Sequence, residues 1–248
     1  MRRMLGVGLL LVAVGASSEE PAKKPIHFRA YARVALDAQG VPQRVDVDQK
    51  LPAVIRNAVA ERVMAWRFEP ALIDDQAHAG ATTVFLDACA APSDGGNMRL
   101  AVEYGWNGPG YADGRYFHPA PRYPIDAAKR DKVGAFRVVL KVGADGRATV
   151  DTIEVESGQL RLFEDALHSW VAQLRYVPEE IDGKPVATRV AIPVEFSMGG
   201  QLSPRQRMRQ EREAKRHSSE CVAAMSGDKE EAPQPVVLDS PFKPRETG

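Results

Sequence analysis

The chain has 248 residues, of which 44% are hydrophobic and 27% are charged, a composition that excludes a wholly disordered protein. Its 33 Lys and Arg residues balance 33 Asp and Glu residues, so the formal net charge is zero. This balance provides no overall electrostatic attraction for nucleic acid or for an anionic membrane, and we expect neither as a partner.

The first 16 residues have the pattern of a secretory signal peptide. Two arginines precede an apolar run over residues 4–14, and small residues follow before Glu19. A basic start, a short apolar stretch and a small-residue exit are typical of a leader that is removed on export. The sequence therefore predicts an exported protein. The alternative is an uncleaved segment that anchors the chain in the inner membrane.

Two stretches of the chain repeat one pattern of strand, turn and helix. Near residue 28, and again near residue 136, apolar residues alternate with others and run into a glycine, Gly40 or Gly146. This alternation predicts a half-buried strand that enters a hairpin, with a second strand after the turn. The apolar spacing then changes to three and four, which predicts a helix with one apolar face. The residues on these two faces are Ile55, Val59, Val63 and Trp66, and Phe163, Leu167, Trp170 and Leu174.

The two predicted helices also end alike. Trp66-Arg67-Phe68 follows the first, and Leu174-Arg175-Tyr176 follows the second. Turn residues and a final strand come next in both stretches, at an offset of roughly 106–108 residues. We therefore predict an internal duplication. We expect four large side chains on the apolar faces to be buried, namely Trp66, Trp170, Phe136 and Phe163.

The second copy carries further motifs in a specific order. Tyr123 and Pro124 precede its first strand, Tyr176-Val177-Pro178 follows its helix, and Gly183-Lys184-Pro185-Val186 precedes its last strand. Over about 75 residues these motifs resemble the TonB C-terminal domain. The resemblance implies an antiparallel sheet with helices on one face, a periplasmic location and contact with outer-membrane transporters. The first copy resembles a degenerate relative, because it lacks the Tyr-Pro box.

The sequence thus predicts an α+β fold of two tandem TonB-C-like modules, each a small antiparallel sheet with helices packed on one face. The aromatic residues between the modules are expected to cover module surfaces, with residues 98–104 adding a strand; an aromatic ligand-binding patch is the alternative. The predicted segments are a signal peptide at 1–16, a degenerate module at 26–90, a connection rich in glycine and aromatics at 91–117, a TonB-C-like module at 118–198, a charged helix at 203–222 and a mostly disordered tail at 223–248.

The sequence contains no motif that indicates catalysis. Its five histidines are scattered, without the paired spacing of metal ligands on a helix. It also has no nucleophile elbow, no phosphate-binding glycine loop and no Cys-x-x-Cys pair. We therefore expect no enzymatic activity, no cofactor, no metal and no small-molecule substrate.

The last strand of the second copy is the candidate docking site for a protein partner. Proline cannot donate to a sheet ladder, so Pro193 predicts an edge or a bulge. The family resemblance implies that this strand receives an extended peptide from a transporter. The alternatives are an edge blunted against aggregation, or pairing with the other module or a second chain. The candidate strand comprises Thr188, Arg189, Val190, Ala191, Ile192, Pro193, Val194, Glu195 and Phe196. Val190, Ile192, Val194 and Phe196 are predicted to point inward, and Ala191, Pro193 and Glu195 outward.

The expected role is that of an exported periplasmic protein-binding or scaffold component. A full energy transducer carries an inner-membrane anchor and a long proline-rich spacer, and no such spacer lies between residues 14 and 28. We therefore expect recognition of a partner without transmission of force. The alternative is an uncleaved, membrane-anchored accessory of an energy-transducing transport system.

The chain contains two cysteines, Cys89 and Cys221. Export places both in an oxidising compartment, where structural disulfides form and persist. The sequence therefore predicts a bridge from the first module to the C-terminal region, with two free structural thiols as the alternative.

Overall fold

The computed structural model describes residues 26–92, 98–198 and 235–247. The predicted signal peptide at 1–16 and charged helix at 203–222 lie outside these ranges. Within them, no helix has the length and apolar character needed to cross a membrane.

The first sheet is built around a long N-terminal strand. This strand, β1 (Ile26–Leu36), lies between β2 (Pro42–Val47) and β6 (Gly80–Pro92), and all pairings are antiparallel. On its other side β6 pairs with β7 (Met98–Gly108), so the strand expected within 98–104 is present and longer than predicted. The helix α1 (Ala53–Met64) begins directly after Pro52 and buries Val59 and Val63 against one face of the sheet.

Three short strands connect α1 to β6. They are β3 (Arg67–Glu69), β4 (Ala71–Ile73) and β5 (Gln76–His78), and the last two form a hairpin. Asp74 and Asp75 lie at the hairpin turn with φ of 49° and 61°. Consecutive positive φ values are required by the tight turns that suit the twist of a hairpin, and Asp tolerates them better than most residues.

The second sheet repeats this arrangement. Its central strand is β9 (Gly134–Val142), which lies between β10 (Ala148–Ser157) and β14 (Thr188–Phe196). The helix α3 (Glu164–Gln173) packs on one face, and the short α2 (Ile125–Ala128) precedes the sheet. In both sheets, therefore, the first strand of the unit lies between its second and last strands.

Short strands again link the helix to the last strand of the second unit. They are β11 (Tyr176–Val177), β12 (Glu179–Ile181) and β13 (Lys184–Val186). The β12–β13 hairpin turns at Asp182 and Gly183, both with positive φ.

The hairpin glycines of the two units have the same role. Gly40 and Gly146 both have φ of +75°. Each carbonyl accepts a backbone hydrogen bond from just after the helix, Gly40 from Phe68 at 3.0 Å and Gly146 from Tyr176 at 2.9 Å. A Cβ at Gly40 would lie 1.8 Å from the Phe68 carbonyl oxygen, and one at Gly146 would lie 2.2 Å from that of Tyr176. Only glycine allows this close approach of two backbone segments.

The two units share strands, and this was not predicted. The β12–β13 hairpin of the second unit pairs with the start of β6, through Glu180 opposite Ala81 and Ile181 opposite Gly80. The first sheet therefore has six strands, two of which come from the second unit. In addition, β8 (Gly110–Tyr111) follows β7 and pairs with β11. The prediction of a separate small sheet for each module is thus wrong for the first sheet.

The prediction of a mostly disordered tail over 223–248 is wrong for residues 235–247. This segment forms β15 (Val236–Val237), which pairs with β14, and β16 (Lys243–Glu246), which pairs with β3. Phe242 between them is 1% exposed. Proline and charge indicate disorder only where a segment finds no partner, whereas this one meets two unfilled strand edges and an apolar core.

Two aromatic residues of the connection, Trp106 and Tyr111, are core residues, whereas Phe117 is 47% exposed. Trp106 stacks on Phe85 of β6, with ring centroids 3.7 Å apart, and Tyr111 packs edge-on against the same ring. All three rings belong to the core of the second unit, although Phe85 comes from the first sheet. Trp106 and Tyr111 therefore cover module surfaces, as the sequence predicted for the aromatic residues of the connection. Burial of Trp66, Trp170, Phe136 and Phe163 is confirmed as well.

Candidate docking edge of the second sheet

The faces of β14 follow the predicted alternation at most positions. The side chains predicted to point inward are all buried, and Arg189 and Glu195 are exposed. Ala191 was predicted to point outward, yet it is 1% exposed. Val139, which pairs with Ala191 in β9, is also buried. The middle of the sheet is therefore covered on both faces, which an alternating pattern alone does not indicate.

The outer side of β14 is only half covered. On its inner side the whole strand pairs with β9, from Thr188 opposite Val142 to Phe196 opposite Gly134. On its outer side β15 pairs with Val190 and Ala191. Over residues 192–196 no strand within the described ranges pairs with this side. An edge of this kind presents backbone groups that can pair with another chain.

The backbone groups on the open half can be assigned from the ladder. The Leu238 N–H donates to the Arg189 carbonyl at 2.9 Å, so the backbone groups of Arg189 face outward. Because these groups alternate along an antiparallel strand, those of Pro193 and Glu195 also face outward. Pro193 has no N–H, so the open half offers two carbonyls and the N–H of Glu195. The proline identified in the sequence thus removes one of the outward donors.

Asp239 fastens the covered half of the edge. Its carboxylate accepts hydrogen bonds from the backbone N–H of Arg189 and, at 2.8 Å, from the guanidinium Nε of the same residue. Hydrogen bonding to Asp239 raises the pKa of Arg189 above its usual value. Asp151 approaches the guanidinium separately, 4.0 Å from Nη1.

The Tyr-Pro box packs at the far end of β14. The Tyr123 ring lies edge-on to Phe196, with centroids 5.5 Å apart, and edge-on to Phe163. Its hydroxyl donates to the Lys132 carbonyl at 2.6 Å, and Pro124 immediately precedes α2. The box therefore fixes the start of the domain against the last residue of the candidate strand.

A buried carboxylate at the start of the site was missed by sequence reasoning. Glu179 is fully buried and accepts hydrogen bonds from the hydroxyls of Thr82 at 2.7 Å, Thr188 at 3.0 Å and Ser240 at 2.7 Å. Burial raises the pKa of Glu179, although these hydrogen bonds and the charge of Arg33 oppose the shift. The three donors come from the first sheet, from β14 and from the C-terminal segment, so no local sequence signal identifies the cluster.

Two further predictions concern cysteine and metal chemistry. Cys89 is fully buried on β6, and Cys221 lies outside the described residues, so the disulfide stays a prediction. The ranges described contain no free cysteine, which is compatible with that bridge. Within the same ranges, no group of three His, Cys, Asp or Glu side chains is arranged to hold a metal ion.

The second unit is a small α+β domain with an antiparallel sheet, helices on one face and a last strand that the described residues pair only in part on its outer side. Residues 119–198 match the family described as the C-terminal part of the Gram-negative bacterial TonB protein. Protein TonB of Vibrio cholerae serotype O1 (strain ATCC 39315 / El Tor Inaba N16961) is 34% identical over 80 residues, which are 32% of each chain. The family that residues 119–198 match is thus the one that their motifs predicted. The matched region spans about a third of this relative.

Proposed function

We propose that this protein is an exported periplasmic component that binds a protein partner by strand addition along β14. The match of residues 119–198 to the TonB C-terminal family supports a TonB-like transducing or protein-interacting role. The single observation that carries strand addition is that no strand of the described residues pairs with the outer side of β14 over residues 192–196. Backbone pairing at such an edge needs no particular side chain, which suits the recognition of varied extended segments.

The partner we propose is an extended segment of an outer-membrane transporter. On the open half it would meet the carbonyl of Pro193 and both backbone groups of Glu195. Each such hydrogen bond contributes only about 0.5–1.5 kcal/mol net, so we expect weak, reversible binding of an isolated peptide. Glu195 is exposed and adds a negative charge beside the added strand.

The first unit is, in this proposal, a degenerate copy with a scaffolding role. The shared strand order and the paired glycines Gly40 and Gly146 support a common origin. Its own last strand, β6, is paired by β7 and does not offer an equivalent edge. The unit instead supports the second one through the β12–β13 hairpin.

The docking proposal is tested by NMR titration of the full chain with peptides from the N-terminal segments of outer-membrane transporters. We expect the largest amide shifts at Val194 and Glu195, with the amides of β10 on the opposite edge as internal controls. If no amide of β14 shifts at millimolar peptide, the docking role is wrong.

Export is tested separately from docking. N-terminal sequencing and intact mass of the protein recovered from the periplasm should give a start near Ser17. A retained Met1 would instead favour the alternative, an accessory anchored in the inner membrane and facing the periplasm.

A further inference from the structure

We infer that residues 235–247, here called the strap, are a built-in competitor for the docking edge of β14, and that the first unit holds the strap in place. This inference concerns regulation of the proposed docking site and rests on that proposal. It combines three features of the strap, namely a short contact with β14, a firm attachment elsewhere and a polar fastening between the two.

The contact between the strap and β14 is short. Only Val236 and Val237 pair with the strand, and the Leu238 N–H adds one hydrogen bond. Val236 is 52% exposed and Leu238 is 41% exposed, whereas Pro235 is buried and Val237 packs against the second core. The strap is therefore held at this end by a short ladder and by the apolar contacts of Pro235 and Val237.

The other end of the strap is held firmly by the first unit. Phe242 is fully buried in the first core, where its ring would lie 2.4 Å from a Cβ at Gly80. The Asn107 side-chain amide donates to the Phe242 carbonyl at 3.0 Å, and the Ser240 hydroxyl donates to Glu179. Beyond these contacts β16 pairs with β3. The anchor thus lies C-terminal to Asp239, and the pairing with β14 lies N-terminal to it.

This arrangement allows the edge to open without loss of the anchor. If the Asp239–Arg189 contact breaks and Val237 leaves the second core, residues 236–238 can separate from β14 while Ser240 and Phe242 stay bound. The outward N–H and carbonyl groups of both Ala191 and Arg189 then become available. A partner confined to residues 192–196 meets no competition, whereas one that uses the full edge must displace the strap.

The affinity for an added strand depends on the fraction of molecules in which residues 236–238 have left β14. A ligand that binds only the open form has an apparent dissociation constant increased in inverse proportion to the fraction of open molecules. Weakening the fastening at Asp239 therefore increases the apparent affinity of any strand that covers Ala191. Tethering gives the strap a high effective concentration, so a short segment suffices as a competitor.

The test uses three full-length chains and a probe that does not depend on the natural partner. The chains are wild type, Asp239→Ala and Asp151→Ala; the last removes the other carboxylate near Arg189 without touching the strap. The probe is a synthetic peptide with the sequence of residues 234–240, which supplies the strap in trans. Amide exchange and chemical shift of Ala191 report occupancy of the edge, and the Phe136 amide reports an intact core.

We expect faster exchange at Ala191 in Asp239→Ala, and a probe affinity at least about threefold higher than in wild type. Asp151→Ala should behave as wild type, and Asp239→Asn, which keeps one acceptor, should fall between wild type and Asp239→Ala. Equal affinity for all chains, or no binding to any of them, overturns the inference. Transporter peptides that shift amides only at 192–196 and bind all chains equally would leave the docking proposal intact while refuting competition by the strap.

Discussion

The last strands of the two units, β6 and β14, occupy equivalent places in their sheets but have different outer sides. The strand β6 is paired by β7 from Thr83 to Pro92, whereas β14 is paired by β15 only at Val190 and Ala191. In both cases the covering strand comes from the chain that follows the unit. Whether a last strand is open or closed is therefore decided by the segment after it.

After covering the last strand of one unit, each segment continues along the chain and pairs with a strand of the other unit. After covering β6 in the first unit, the chain forms β8, which pairs with β11 of the second. After covering part of β14 in the second unit, it forms β16, which pairs with β3 of the first. The strands β3 and β11 are themselves equivalent, since each follows the helix exit of its unit. The two units are thus joined by reciprocal strand pairings, and the described residues cover only part of the outer side of β14.

The largest expected effect comes from the tryptophans of the two cores. Replacement of Trp66 or Trp170 by Ala should each lower the free energy of unfolding by about 3–5 kcal/mol, because both rings are almost fully buried. Urea denaturation of the full chain checks this. Because the units pair with each other, we expect both variants to shift one common unfolding transition. Two separate transitions would contradict a reciprocal stabilisation of the units. A loss below about 1 kcal/mol would contradict the assigned helix face.

Glu179 tests the contact between the units. Glu179→Ala should cost about 2–3 kcal/mol, since it leaves the hydroxyls of Thr82, Thr188 and Ser240 without their common acceptor. Thr149→Ala, on the opposite edge of the second sheet, is a control that should change stability little.

The pH dependence of stability gives a second measurement on Glu179. Its pKa is raised in the folded protein, so between the unfolded and folded pKa values the folded state binds more protons. The contribution of Glu179 to stability is therefore present at low pH and is lost as pH rises through this window. Glu179→Gln should lack this contribution, so the difference in unfolding free energy between wild type and variant should change as the pH rises above the ordinary pKa of glutamate. A constant difference would contradict the raised pKa.

Gly40 and Gly146 test whether the two units use the same close contact between hairpin turn and helix exit. Gly40→Ala and Gly146→Ala should be destabilising by similar amounts, because each new Cβ would collide with a carbonyl oxygen. Gly183→Ala is a matched control, since it also has a positive φ but no atom lies within 4 Å of its Cβ position. The control should cost about 1–2 kcal/mol for the backbone conformation alone. The other two should exceed it by about 1–3 kcal/mol in thermal or urea unfolding.

Pro193 gives the smallest expected effect on stability. Pro193→Val adds an outward N–H to the open half of β14 and should change the unfolding free energy by less than about 0.5 kcal/mol. It should nevertheless increase self-association in analytical ultracentrifugation, because the edge gains a donor. Glu195→Gln changes a neighbouring side chain without adding a backbone donor. Equal self-association in the two variants would mean that the missing donor does not protect the edge.

The sequence alone determined the features that depend on local pattern. Alternation predicted β1 and β9, the three-and-four spacing predicted α1 and α3, and glycine or aspartate marked the turns. The Tyr-Pro box and the motifs after it identified residues 119–198 with their family. These features are readable because each is set by residues close together in the chain.

The tertiary structure alone decided how the edges are filled. Ala191 is buried, Glu179 collects donors from three distant segments, and the β12–β13 hairpin joins the first sheet. Residues 235–247 read as a disordered tail, yet their backbone pairs with β14 and β3. Strand pairing uses backbone groups that every sequence carries, so the side-chain pattern of a segment does not identify the edge it will meet. The partner is selected by which backbone groups and apolar surfaces the rest of the fold leaves unfilled.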